Sequence, residues 1–130
     1  MKYPEYIKLY REHADYAHSE MMALDASWWG LDLLGKQTPF PELLSQNFLL
    51  KKEIFFFIVQ TLLQDGRLRL AKNGIFLKGS IEEQLALFEK AFPHSEDAMD
   101  HGIWFFNDEC PAGAVWVYQL EDGSEYLEWT

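Results

Sequence analysis

"KKEIFFFIVQTLLQDGRLRLAKNGIFLKG", residues 51–79, is the stretch on which the fold turns. Its first half is apolar nearly all round: Ile54, Phe55, Phe56, Phe57, Ile58, Val59, Leu62 and Leu63 follow Leu50. A helix of that composition is buried on several sides. A central strand over 54–59 is the alternative, but the lysines and amides at the two ends favour a helix, with Gly66 as its C-terminal cap. The alternating run Arg67–Lys72 then meets Asn73-Gly74, and Ile75–Lys78 comes next. Both turn residues tolerate the positive φ of a type I′ turn, so a tight hairpin is expected. A two-residue loop pairs Leu70 with Leu77 and sets Arg69 opposite Lys78, which is unfavourable unless an anion answers the two cations.

The flanking segments extend this plan. Ile7, Tyr10, Ala14, Ala17, Met21, Leu24 and Trp28 recur at three- and four-residue spacing, one stripe of a long first helix entered at Pro4. Gly30 is expected to interrupt it, and Gly35 to end the short segment after that break. Pro41 suits the start of a short helix to about Gln46. Ser80-Ile-Glu-Glu83 is a capping box opening a helix whose inner face is Ile81, Leu85, Phe88 and Phe92, stopped by Pro93. Three strand-like runs close the chain at 103–107, 114–120 and 125–129, the last two joined by the turn residues 121–124. The expectation is one α+β domain over 1–130: N-terminal helices, a β-hairpin and a C-terminal antiparallel meander packed on the buried Phe-rich helix.

Charge narrows the function. The net charge is −10, unevenly distributed. Residues 51–78 are a basic island, whereas residues 79–130 hold Lys90 as their lone Lys or Arg against 12 acids. The stretch 51–79 resembles the last helix and wing of a winged helix-turn-helix. A recognition helix, however, needs polar and basic side chains toward base edges and phosphates, and this one has three consecutive Phe at its centre. With the rest of the chain repelling phosphate, no nucleic-acid partner is expected. The hairpin cations read better as answering the chain's own acids.

Catalytic chemistry is not legible. Cys110 stands beside Asp108 and Glu109, which disfavour a thiolate, and reads as structural. One cysteine excludes an intrachain disulfide and fits a reducing compartment. His94 and His101 with Glu96, Asp97 and Asp100 match no zinc or calcium spacing and read as a hydrated loop. No phosphate loop, nucleophile elbow or dinucleotide fingerprint is present. No catalytic residue, metal or cofactor is expected. No apolar run approaches the length of a membrane span, and the N-terminus lacks a secretory h-region, so the expected location is cytoplasmic.

The segments "KKEIFFFIVQTLLQDGRLRLAKNGIFLKGSIEEQLALFEKAFP", "WFFNDECPAGAVW" and "EYLEWT" together resemble the bacterial family known as domain of unknown function 596, over roughly residues 50–130. Cys110-Pro111-Ala112-Gly113 with Trp116 is the most distinctive element. The resemblance implies a place beside contact-dependent and polymorphic toxin loci, and hence a small immunity protein that neutralises a cognate toxin. It implies no catalytic residues. Nuclease toxins are basic, and an acidic inhibitor gains on-rate and specificity from complementary potential. The expected function is therefore an acidic protein-binding module meeting a basic toxin domain, with Glu96, Asp97, Asp100, Asp108, Glu109, Glu121 and Asp122 as the contact pool. The alternative is a small-molecule-binding domain or small enzyme with an aromatic-lined pocket; a DNA-binding regulator ranks third, and homo-oligomerisation stays open.

Overall fold

A computed structural model describes residues 7–35 and 48–130. The expected first turn at Pro4 and the short helix from Pro41 lie outside the described residues. In order the elements are α1 (Ile7–Ser19), α2 (Leu24–Gly35), α3 (Phe48–Gln64), β1 (Leu68–Lys72), β2 (Ile75–Phe76), α4 (Ile81–Ala91), α5 (Glu96–Met99), a 3-10 helix (Asp100–Phe106), β3 (Gly113–Gln119) and β4 (Glu125–Trp129). The class is α+β.

The Phe-rich segment is helical and central. Leu50, Ile54, Phe55, Ile58, Val59, Leu62 and Leu63 of α3 are buried. Around it pack Tyr10, Ala14 and Ala17 of α1, Trp28 of α2, Phe88 of α4, and Leu68, Leu70 and Trp116 of the sheet. Rings interlock edge to face near its N-terminal half: Trp28 lies 5.5 Å from Phe55 and 5.4 Å from Phe92, and Phe92 lies 5.2 Å from Trp104. Contacts of this kind add to what area burial alone supplies. Gly66 ends α3 as expected, at φ 73°, with Gly66 N–H donating to Leu63 O and Arg67 N–H to Leu62 O, the Schellman pattern.

The first stripe does not form one helix. The same bond pattern closes α1 at residues 20–22: Met21 N–H donates to His18 O and Met22 N–H to Ala17 O, with Met21 at φ 52°. A methionine therefore holds the left-handed position that glycine normally fills, so the break carries no glycine signal. Gly30 lies inside α2 rather than interrupting a helix, and a Cβ built there would stand 2.6 Å from His13 Cε1. Its role is the close approach of two helices. The corner between α1 and α2 is then bound to β3. His18 Nε2–H donates to Val117 O at 2.9 Å, Trp116 Nε1–H to Met22 O at 3.0 Å, and the Tyr118 hydroxyl to His18 O.

The sheet is antiparallel with strand order β2-β1-β3-β4. The hairpin register is the expected one: Lys72 faces Ile75, and Leu77 N–H donates to Leu70 O. Strand β2 stops at Phe76, so Arg69 does not face Lys78 across a ladder; it meets Glu125 at 2.9 Å. The run 103–107 is not a strand. It lies in the 3-10 helix and the residue after it, because Trp104 packs edge to face against both Phe88 and Phe92 and that packing overrides β propensity. The meander is accordingly the pair β3–β4, continuous with the hairpin through β1. The capping box forms as expected: Ser80 Oγ accepts from Glu83 N–H, and the Glu83 carboxylate accepts from Ser80 N–H.

Candidate protein-interaction surface

Residues 95–112, between α4 and β3, build a shoulder on the surface. Ser95 caps α5 by accepting from Ala98 N–H at 3.1 Å, and Met99 is fully buried beneath it. Asp100, at φ 50°, turns the chain into the 3-10 helix. That helix has three residues per turn, and the exposed side chains of Asp100, Ile103 (52% exposed) and Phe106 (72% exposed) follow that period. Trp104 is buried and Phe105 half-buried, anchoring the segment in the aromatic cluster. Phe106 is thus a large apolar side chain presented to solvent from a well-anchored support.

The loop beyond Phe106 is held from the sheet. Lys72 at the end of β1 donates to Cys110 O at 2.7 Å and to Asp108 O, and Cys110 N–H donates to Asn107 O. These bonds fix the backbone that carries the exposed carboxylates of Asp108 and Glu109. The Cys110 thiol is buried and donates to Ala112 O at 3.3 Å; burial pushes its pKa up, an unreactive setting.

The seven predicted acids divide into groups. Asp97, Asp100, Asp108 and Glu109 belong to the shoulder, are exposed and make no ion pair among the described residues. Glu96 is on the same element but pairs at 2.7 Å with Lys51, a buried lysine whose Nζ lies 4.2 Å from the Trp28 ring centroid. Glu121 and Asp122 lie elsewhere, in the β3–β4 turn. The seven residues of β3 separate that turn from the shoulder loop by ~20 Å at about 3.3 Å per residue. Asp122 accepts from Ser124 Oγ at 2.5 Å and from Ser124 N–H at 2.9 Å, which holds its carboxyl below the usual range. Sequence reasoning missed Ile103 and Phe106, because a strand would have placed Ile103 with Phe105 rather than with Phe106.

Three of the hairpin cations face the protein's own groups, while Lys78 is exposed. Arg67 pairs with Asp15 at 2.7 Å and Asp65 at 3.0 Å, Arg69 with Glu125, and Lys72 with the two carbonyls. A groove of about 480 Å³ runs between α3 and α4, with Phe56, Phe57, Leu49 and Leu85 along its walls and Lys52 and Glu89 among its polar groups. Among the described residues no three His, Cys, Asp or Glu side chains converge as metal ligands would, and no helix is long and apolar enough to cross a membrane.

The family model described as "Protein of unknown function, DUF596" matches residues 63–130. An uncharacterised protein conserved in bacteria, from Neisseria meningitidis, has a similar solved structure: TM-score 0.71 and 28% identity over 94% of this chain and 88% of that chain. No curated protein matches the chain.

Proposed function

Because the chain belongs to the family described as protein of unknown function, DUF596, whose description names no chemistry, we propose a role from the surface itself: a cytoplasmic module that binds a basic protein, an immunity protein occupying a cationic toxin domain. One observation carries the proposal. Ile103 and Phe106 stand exposed on an anchored 3-10 helix, with Asp97, Asp100, Asp108 and Glu109 on the same segment and its neighbours. Apolar anchors within a polar rim are the anatomy of a protein interface, where a few large side chains dominate the binding energy. Carboxylates not engaged by internal cations steer a basic partner. The engagement of Arg67, Arg69 and Lys72 by internal groups argues against a nucleic-acid reading of the hairpin.

Co-expression with the basic products of neighbouring genes, followed by pull-down and kinetics on any complex, tests this. Phe106→Ala should weaken the complex by about 30-fold or more, the loss of ~2 kcal/mol typical of an interfacial anchor. The association rate should fall steeply with salt. A complex indifferent to Phe106 and to salt refutes the reading. The groove between α3 and α4 favours a second reading, a binding site for a small apolar molecule; its test is protection of the fold against thermal unfolding by such molecules.

A further inference from the structure

Strand β4 is an edge strand among the described residues, and its ladder shows which backbone groups remain free. Thr130 N–H donates to Ala114 O, and Leu120 N–H donates to Ser124 O. Bonded pairs alternate with unbonded ones in an antiparallel ladder. With the register Val117 to Leu127, the pairs bonded to β3 are therefore those of Ser124, Tyr126, Glu128 and Thr130. The N–H and C=O groups of Glu125, Leu127 and Trp129 point away from the sheet. Natural edges are commonly blunted by lysine, proline or a bulge. β4 has no lysine or proline, and its register with β3 runs without a bulge.

The charges along this edge have one sign. Glu121 and Asp122 stand exposed at the turn that leads into β4, and Glu128 lies within it. Glu125 is engaged by Arg69, and the Glu128 carboxylate accepts from the Tyr126 hydroxyl. A second copy of the chain has the same net charge of −10, so its overall charge opposes pairing at an acidic edge. A cationic strand meets free backbone groups and complementary charge together.

Building on the reading of a basic protein partner, we infer that β4 accepts an extended, lysine- or arginine-bearing segment of that partner by strand addition. Main-chain bonds to Glu125, Leu127 and Trp129 give affinity, and Glu121, Asp122 and Glu128 select for positive charge. The shoulder acids and those of the β3–β4 turn thus serve one partner at two places: the shoulder meets its folded surface, and the β4 edge meets an extended arm.

The experiment is residue-resolved hydrogen exchange on the full chain, with a short synthetic peptide alternating lysine and valine as the probe. The amides of Glu125, Leu127 and Trp129 should slow about tenfold or more on adding the peptide, while those of Tyr126 and Glu128, already bonded to β3, change little. A glutamate–valine peptide should give no protection. Leu127→Pro should abolish the effect, since the ladder to β3 does not use that N–H. Protection spread evenly over the sheet, none at all, or protection that rises with protein concentration without peptide overturns the inference; the last outcome means that a second copy occupies the edge. Phe106→Ala should leave this protection intact. A complex that depends on Phe106 but shows no protection at β4 therefore refutes the arm and spares the proposed function.

Discussion

Replacing Gly30 with alanine should destabilise the protein, although alanine is the better helix former. On an open helix surface the change would add about 0.8–1 kcal/mol of stability. Here the new methyl would lie 2.6 Å from His13 Cε1 and 3.3 Å from Nε2. Carbon atoms pack at about 3.5–4 Å, so the ring must retreat by ~1 Å. It has little room, being buried, with its Nε2–H bonded to Ser27 O at 3.2 Å. Overpacking of this kind costs about 1–3 kcal/mol, and a weakened buried bond adds to that. We expect Gly30→Ala to lose about 1–2 kcal/mol net, read as a lower urea midpoint by tryptophan fluorescence at unchanged slope. With His13→Ala the obstruction is gone, and Gly30→Ala should then stabilise by about 0.5–1 kcal/mol. The double-mutant cycle should give a coupling of about 2 kcal/mol. Equal effects of Gly30→Ala in both backgrounds would show that the two residues do not meet as described.

Met21→Gly should stabilise by about 0.5–1 kcal/mol in the same denaturation assay, because it relieves a left-handed side-chain residue at the α1 terminus; a loss of stability contradicts that terminus. Burial lowers the pKa of His13 below its ordinary 6.5, so the unfolded chain takes up a proton that the folded state resists. Stability should decline as pH falls below about 6.5, and His13→Gln should flatten that portion of the urea-midpoint profile. Cys110 should react with a thiol reagent only through opening of the fold, at a rate that climbs with urea alongside unfolding. Rapid reaction in buffer would show that the thiol is not enclosed.

Local signals proved legible where short-range chemistry decides the structure. The capping box at Ser80, the Gly66 terminus and the Asn73-Gly74 hairpin depend on neighbours within a few residues, and each forms as expected. The Phe-rich helix was legible because an element apolar nearly all round packs on several sides. The break after Ser19 was hidden because Met21, not glycine, takes the positive φ. The 103–107 segment departs from its strand-like pattern because Ile, Trp and Phe favour strands, whereas the ring cluster of α3 and α4 decides its conformation. For the proposed interaction surface, charge composition pointed to the acidic second half but not to its division, since β3 carries the 121–122 turn away from the shoulder. The exposure of Ile103 and Phe106 comes from a three-residue period that strand propensity concealed.

The bonds from the α1–α2 corner to β3 join residues 99 and 100 positions apart in the chain. At a synthesis rate of roughly 5–20 residues per second, that corner waits ~5–20 s for the strand that completes it. During that interval the carbonyls of His18 and Met22 have no Trp116 or Tyr118 to receive. Folding of the first two helices is therefore tied to the late arrival of β3, a long loop closure that favours slow acquisition of the native state. A nascent chain halted before Trp116 leaves the ribosome with its N-terminal helices unsecured, a form that chaperones and proteases would recognise.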